Sequence, residues 1–277
     1  MTLPDQPVAA GERRRHEPVV DAGSATATGP RSENQDRVGV SPAWAVVSDG
    51  AGGHRGGALA AQLALDAAVA RIEAAGATVD ETLLQRALDE AHRAVRARRA
   101  QDDEVASMAA TLTLAVAASA GTEGSTWFVA NVGDSPAWSL ASGRLTRLSQ
   151  EHNLAAELVR SGAISRDEAR THPGRHVITL AIGGDADVNA APMAVELHAG
   201  DALVLASDGI EVLDEPTIVE VVPEAPSAAQ AARRLVDAAL ARGATDNVTV
   251  AVVRHRLTAT PGPDLDATAD AGAGPDR

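Results

Sequence analysis

The sequence predicts an α+β fold with strands in groups and helices in pairs, and three observations carry the expectation. Short Val-rich or alternating runs bounded by Gly, Asp or Asn recur along the chain. Two long helical patterns follow one another directly. A capped third helix stands near the C-terminal end. This order lacks the regular alternation that a parallel, doubly wound sheet requires.

In chain order, WAVVS at 44–48 is the first strand-length run, ending in Asp49-Gly50. Apolar residues then recur at helical spacing over 57–75. Asp80 caps a second helix that carries Leu83, Leu84, Ala87, Leu88, Ala91 and Val95 on one face. Val-rich strands follow at 111–118, 125–132 and 202–207. Ser227, with Gln230 three residues later, has the pattern of a capping box and opens a helix through Leu235, Val236, Ala239 and Leu240 that Gly243 stops. The last strand is 247–255. Residues 1–18 and 258–277 bury no apolar period and are expected to be a flexible N-terminal tail and a disordered C-terminal one, which leaves a single domain at 19–257.

Composition narrows the function. Lys plus Arg number 24 against 38 Asp plus Glu, a formal charge of −14, so no basic excess draws nucleic acid phosphates. One Phe, three Trp and no Tyr leave no stacking platform for single strands. The absence of Cys excludes thiolate zinc sites and cysteine nucleophiles. No apolar run reaches the roughly 18 residues of a membrane helix, so a cytoplasmic protein without membrane contact is expected.

Four acids stand at strand ends: Asp49 after WAVVS, Asp134 after FVANVG, Asp208 after ALVLAS and Asp246 before NVTVAVV. Each adjoins Gly or Asn, and any one of them alone reads as a turn. Strands sharing a sheet bring their ends to a common edge, so four together predict an acidic cluster there. Two carboxylates at about 4 Å repel by about 4 kcal/mol at an effective dielectric near 20. Such a cluster must be protonated, dispersed or neutralised by cations, and for cations hard oxygen ligands without sulfur suit Mg²⁺ or Mn²⁺. Upstream, Arg31 precedes another acid, Asp36, in a Gly/Pro-bent segment, and its planar fork fits two phosphate oxygens.

These residues belong to an ordered set: RSENQD at 31–36, SDGAGGH at 48–54, MAAT at 108–111, NVGDS at 131–135, LSQEHNLAAELVRSGAISRDEA at 148–169, ITLAIG at 178–183, ASDG at 206–209 and TDNVTV at 245–250. In that order the chain resembles the metal-dependent protein serine/threonine phosphatases, the protein phosphatase 2C-like or PPM family, in its bacterial form. The resemblance implies an α-β-β-α sandwich of two packed antiparallel sheets flanked by helix pairs. It also implies hydrolysis of phosphoserine and phosphothreonine in proteins by metal-activated water, without a phosphoenzyme, on substrates of Ser/Thr kinases.

Carried over by position, the resemblance implies that Asp49 bridges two Mn²⁺ or Mg²⁺ ions, with the Gly50 carbonyl on one and Asp208 and Asp246 on the other. Asp36 corresponds to the acid that holds a coordinated water, and Asp134 with Asp208 to the ligands of a weaker third ion. Arg31 corresponds to the phosphate-binding arginine, and 154–176 to the flap beside the site. The chain departs from the family at Gln35 (often Glu), at Ala51 (His in animal members) and at Pro136 (often Arg). Those departures motivate the alternative reading, a pseudophosphatase that binds phosphoproteins as a regulatory module. Within the flap, Arg160, Arg166, Arg170, His172, Arg175 and His176 outnumber Asp167 and Glu168, a patch expected to steer acidic phosphoproteins.

Overall fold

A computed structural model describes residues 16–51, 54–76, 78–120 and 124–259. Among these residues twelve strands and six α-helices follow in order: β1 (His16–Ala27), β2 (Arg37–Val40), β3 (Trp44–Ser48), β4 (Gly50–Ala51), α1 (His54–Ala74), α2 (Glu81–Arg99), β5 (Ala109–Ala110), β6 (Leu112–Ala120), β7 (Gly124–Val132), β8 (Ala137–Ala141), β9 (Arg144–Arg147), α3 (Leu154–Arg160), α4 (Arg166–Ala169), β10 (Met193–His198), β11 (Ala202–Ala206), α5 (Glu215–Glu224), α6 (Ala228–Ala241) and β12 (Val248–Ala259). Two five-stranded antiparallel sheets, ordered β1-β12-β11-β8-β9 and β10-β7-β6-β3-β2, form the body, with a small β4-β5 ribbon beside them.

The layers follow from strand periodicity. In β11, Leu203 and Leu205 point between the sheets while Ala202, Val204 and Ala206 face α5 and α6. In β3, Ala45 and Val47 take the inter-sheet side and Val46 faces α1 and α2. Both faces of these strands are covered, which is why they read as continuous apolar runs rather than clean alternation. The result is helix pair, sheet, sheet, helix pair, as the resemblance implied.

The caps behave as their residue types dictate. Asp80 Oδ1 accepts from the Leu83 N–H at 3.0 Å to start α2, and Ser227 Oγ accepts from the Gln230 N–H at 3.2 Å to start α6. Several elements escape the sequence reading. β1 begins at His16, inside the segment expected as a tail, and pairs along its length with β12, which itself runs on to Ala259. It is an edge strand, where Pro18 costs little. α5 carries Pro216 in its first turn and Pro223 near its end, a composition that disguises a helix capped by Asp214. The rest of both expected tails, 1–15 and 260–277, lies outside the described residues.

Candidate metal centre

The topology brings the acids to one edge. β3 and β7 are both antiparallel to β6, so they end at the same side, and Asp49 and Asp134 follow them. β2 is antiparallel to β3 with Arg37 opposite Ser48, which sets Asp36 beside Asp49. In the other sheet β11 ends where antiparallel β12 begins, so Asp208 and Asp246 meet. Two glycines make the approach tight. A Cβ at Gly209 would run into the Asn247 carbonyl, and Gly133, at φ +102°, turns the chain in a region that favours glycine.

Arg31, Asp49, Gly50, Asp134, Asp208 and Asp246 line one cavity of about 760 Å³. Asp36 lies beneath, 3% exposed, and Ser207 Oγ donates to its Oδ2 at 2.7 Å. Its other oxygen, Oδ1, is buried without a hydrogen-bond partner. Arg31 Nη2 donates to Asp246 Oδ2 at 2.7 Å, and its Nε donates to the Thr245 carbonyl at 3.2 Å. As the side chains stand, no three carboxylates or imidazoles among the described residues converge on one point that would hold an ion.

The electrostatics nevertheless ask for positive charge. Loss of hydration, then the charges of Asp36 and Asp208, pushes the Asp49 carboxyl well above its ordinary range. Burial, followed by Asp208, raises Asp134 to about 7. Asp208 is raised by burial and then by Asp246, and Asp36 by burial first. An oxygen-only donor set, one orphaned buried carboxylate oxygen and mutual repulsion fit a hard divalent cation.

Buried hydroxyls fix this edge. Asp49 N–H donates to Thr111 Oγ1 at 3.0 Å, Ser48 Oγ donates to the Thr111 carbonyl at 2.7 Å, and Thr111 Oγ1 lies 2.7 Å from Ser135 Oγ. The residue the sequence reading missed is Asn247. Its Nδ2 donates to the carbonyls of Thr28 at 2.8 Å and Glu33 at 3.0 Å, and its Oδ1 accepts from the Gln35 N–H at 2.8 Å. One amide thereby clamps the loop bearing Arg31 and Asp36 against the start of β12. The Asp-Asn pair suggested a turn; only the fold reveals what the amide reaches. Arg175 and His176, expected as part of a charged flap face, in fact line the same cavity as the acids.

The acidic edge of this four-layer sandwich, with Arg31 and Arg175 among the carboxylates lining one cavity, has the donor chemistry that suits a hard divalent cation. The chain belongs to the protein phosphatase 2C family, whose model, described as "Protein phosphatase 2C", matches residues 30–248. It is 30% identical over 238 residues to serine/threonine phosphatase stp of Listeria monocytogenes, covering 82% of this chain and 92% of that one. In structure it is similar to the Mycobacterium tuberculosis serine/threonine phosphatase PstP/Ppp, with a TM-score of 0.77, 30% identity and coverage of 85% of this chain and 98% of the other. A PstP catalytic domain crystallised with two manganese ions gives a TM-score of 0.75 at 29% identity, over 86% of this chain and 99% of that one. These relatives are serine/threonine phosphatases, and metal dependence holds at the family level. No helix among the described residues is long and apolar enough to cross a membrane.

Proposed function

We propose that this chain hydrolyses phosphoserine and phosphothreonine esters of proteins, using Mn²⁺ or Mg²⁺ held by Asp36, Asp49, the Gly50 carbonyl, Asp208 and Asp246. A weaker third ion would use Asp134 with Asp208. The observation that carries this reading is the gathering of Asp49, Asp134, Asp208 and Asp246 around one cavity, with Asp36 buried beneath, and burial and mutual repulsion raising the Asp49 and Asp134 pKa values in a way that bound cations would offset. When bound, such ions supply hydroxide at neutral pH from coordinated water and neutralise charge that builds on the phosphoryl oxygens.

The chain's own groups do the rest. Arg31 offers a planar fork to two phosphoryl oxygens and holds the ester in place. Asn247 keeps that loop seated. Ala51 offers no proton to the departing seryl or threonyl oxygen. His176, the imidazole among the residues lining the cavity, is the side chain that would supply one. No covalent phosphoenzyme is needed. The substrates in this reading are products of Ser/Thr kinases, met in the cytoplasm.

Turnover of para-nitrophenyl phosphate and of a phosphothreonyl peptide, measured with Mn²⁺ and again after EDTA, tests the proposal. Activity that EDTA abolishes is expected. Asp208→Asn should abolish it too while the protein still unfolds cooperatively in urea and is no less stable than metal-free wild type. Phosphopeptide binding without turnover would instead identify the pseudophosphatase that Gln35, Ala51 and Pro136 allow.

A further inference from the structure

A second cavity of about 920 Å³ opens from the first, sharing Asp134, Arg175, His176, Asp208 and Glu211 with it. Its floor is apolar, built by Trp138, Leu213 and Ile218, and its flap wall carries Arg160, Arg166 and Arg170. Building on the phosphatase reading, we propose that this cavity is a recognition groove for the substrate chain next to the phosphorylated residue. It selects a segment with an acidic side chain on the flap side and an apolar side chain over the floor.

Charge pairing along the walls carries the assignment. Arg147 is already engaged, at 2.6 Å from Glu151 and 3.4 Å from Glu211, with its guanidinium 5.9 Å from the Trp138 ring centre. On the far lip, Asp214 is 3.1 Å from Arg242. Arg166 and Arg170 are different: neither enters an ion pair among the described residues. Glu168, two positions from each of them, is turned onto its own helix start, where Oε2 accepts from the Ser165 N–H and Oγ, both at 2.8 Å. The capping box thus keeps Glu168 on its own helix start, and Asp167, three positions before Arg170, forms no ion pair with it among the described residues.

In a chain of formal charge −14, two exposed guanidinium groups without an ion pair, on the wall of a groove that leads to the acidic centre, match an anionic occupant. A small aryl phosphate needs no more room than the first cavity of about 760 Å³ offers. A protein substrate must continue outward, and the groove continuous with the site gives it somewhere to lie.

The test compares two phosphothreonyl peptides, identical except that flanking Asp and Glu are replaced by Lys in one, with para-nitrophenyl phosphate as the small control. Wild-type kcat/KM should favour the acidic peptide by about tenfold, and replacing that peptide's apolar neighbour with Ser should cost roughly tenfold more. The acidic preference should vanish in the Arg166→Gln/Arg170→Gln variant and at about 0.5 M salt. In that variant the small-substrate rate should stay within about twofold of wild type. Equal losses on all three substrates, or a preference that survives the double substitution, would overturn the groove while leaving the phosphatase reading standing. If the wild type turns over nothing with Mn²⁺, the catalytic reading fails. The groove is then judged by fluorescence anisotropy of the labelled peptides: acidic preference lost in the variant supports it, and indifference overturns it.

Discussion

At the scale of single residues, the site rests on side chains whose work is to hold other side chains. Asn247 is 5% exposed and satisfies two carbonyls and one N–H of the loop that carries Arg31 and Asp36. Asn247→Ala should leave those groups unpaired and cost about 3 kcal/mol in urea unfolding, together with lost phosphate affinity as the loop loosens. A variant of wild-type stability would show that the clamp is dispensable. Arg31 is exposed and bound only at the cavity rim, so its removal should leave the fold untouched. Arg31→Ala is expected to raise KM more than it lowers kcat. The reverse split, read from steady-state kinetics on a phosphopeptide, would move Arg31 from substrate binding to transition-state stabilisation. The four strand-end acids were legible in the sequence because each adjoins a turn-forming Gly or Asn, and Arg31 and Asp36 because they share a Gly/Pro-bent segment upstream. Asn247, Ser207 and Thr111 were not, because a polar residue's partners across more than forty positions leave no trace in local pattern.

Among the elements, those with two covered faces or an evident cap could be read and those at edges could not. β3, β11 and the core of β12 are runs of Val, Leu and Ala, and α2 and α6 announce themselves through Asp80 and Ser227. β1 hides because its partner, β12, lies more than two hundred residues away, and α5 hides because its prolines suggest a break where the first turn tolerates one. α6 shows what an element contributes. Its apolar stripe, Ala228, Ala231, Ala232, Leu235, Val236 and Ala239, packs onto β1 and β12 and so braces the strand that starts beside Asp246. Leu235 is fully buried there, and Leu235→Ala should cost about 3 kcal/mol in chemical denaturation. A loss well under 1 kcal/mol would mean that the helix docks more loosely than its burial implies.

For the whole molecule, the gathered carboxyls couple stability to pH and to metal. A carboxyl whose native pKa lies above its unfolded value binds its proton more tightly when folded, so stability falls as pH rises through that window. Asp134, raised from 3.8 to about 7, accounts on its own for about 4 kcal/mol between those values. Asp36, Asp49 and Asp208 act in the same sense. His92 and His255, buried and lowered by loss of hydration, act oppositely below about pH 6.5, but they do so with or without metal and cancel in the difference. A cation that binds the ionised, folded edge therefore stabilises most where the repulsion is greatest. The rise in Tm caused by Mn²⁺ should grow from about pH 5 to about pH 8, and a pH-independent shift would contradict the coupling. The fold's layers, its acidic edge and a flap beside that edge were thus foreseeable, whereas the entry of Arg175 and His176 into the lining of the acidic cavity was not. The most direct test of the central claim is calorimetric titration of Mn²⁺ into EDTA-stripped protein near neutral pH. Uptake of two ions per chain, as in the manganese-bound relative, with loss of that binding in Asp208→Asn, is the predicted result. No heat of binding and no retained manganese at millimolar concentration would contradict it.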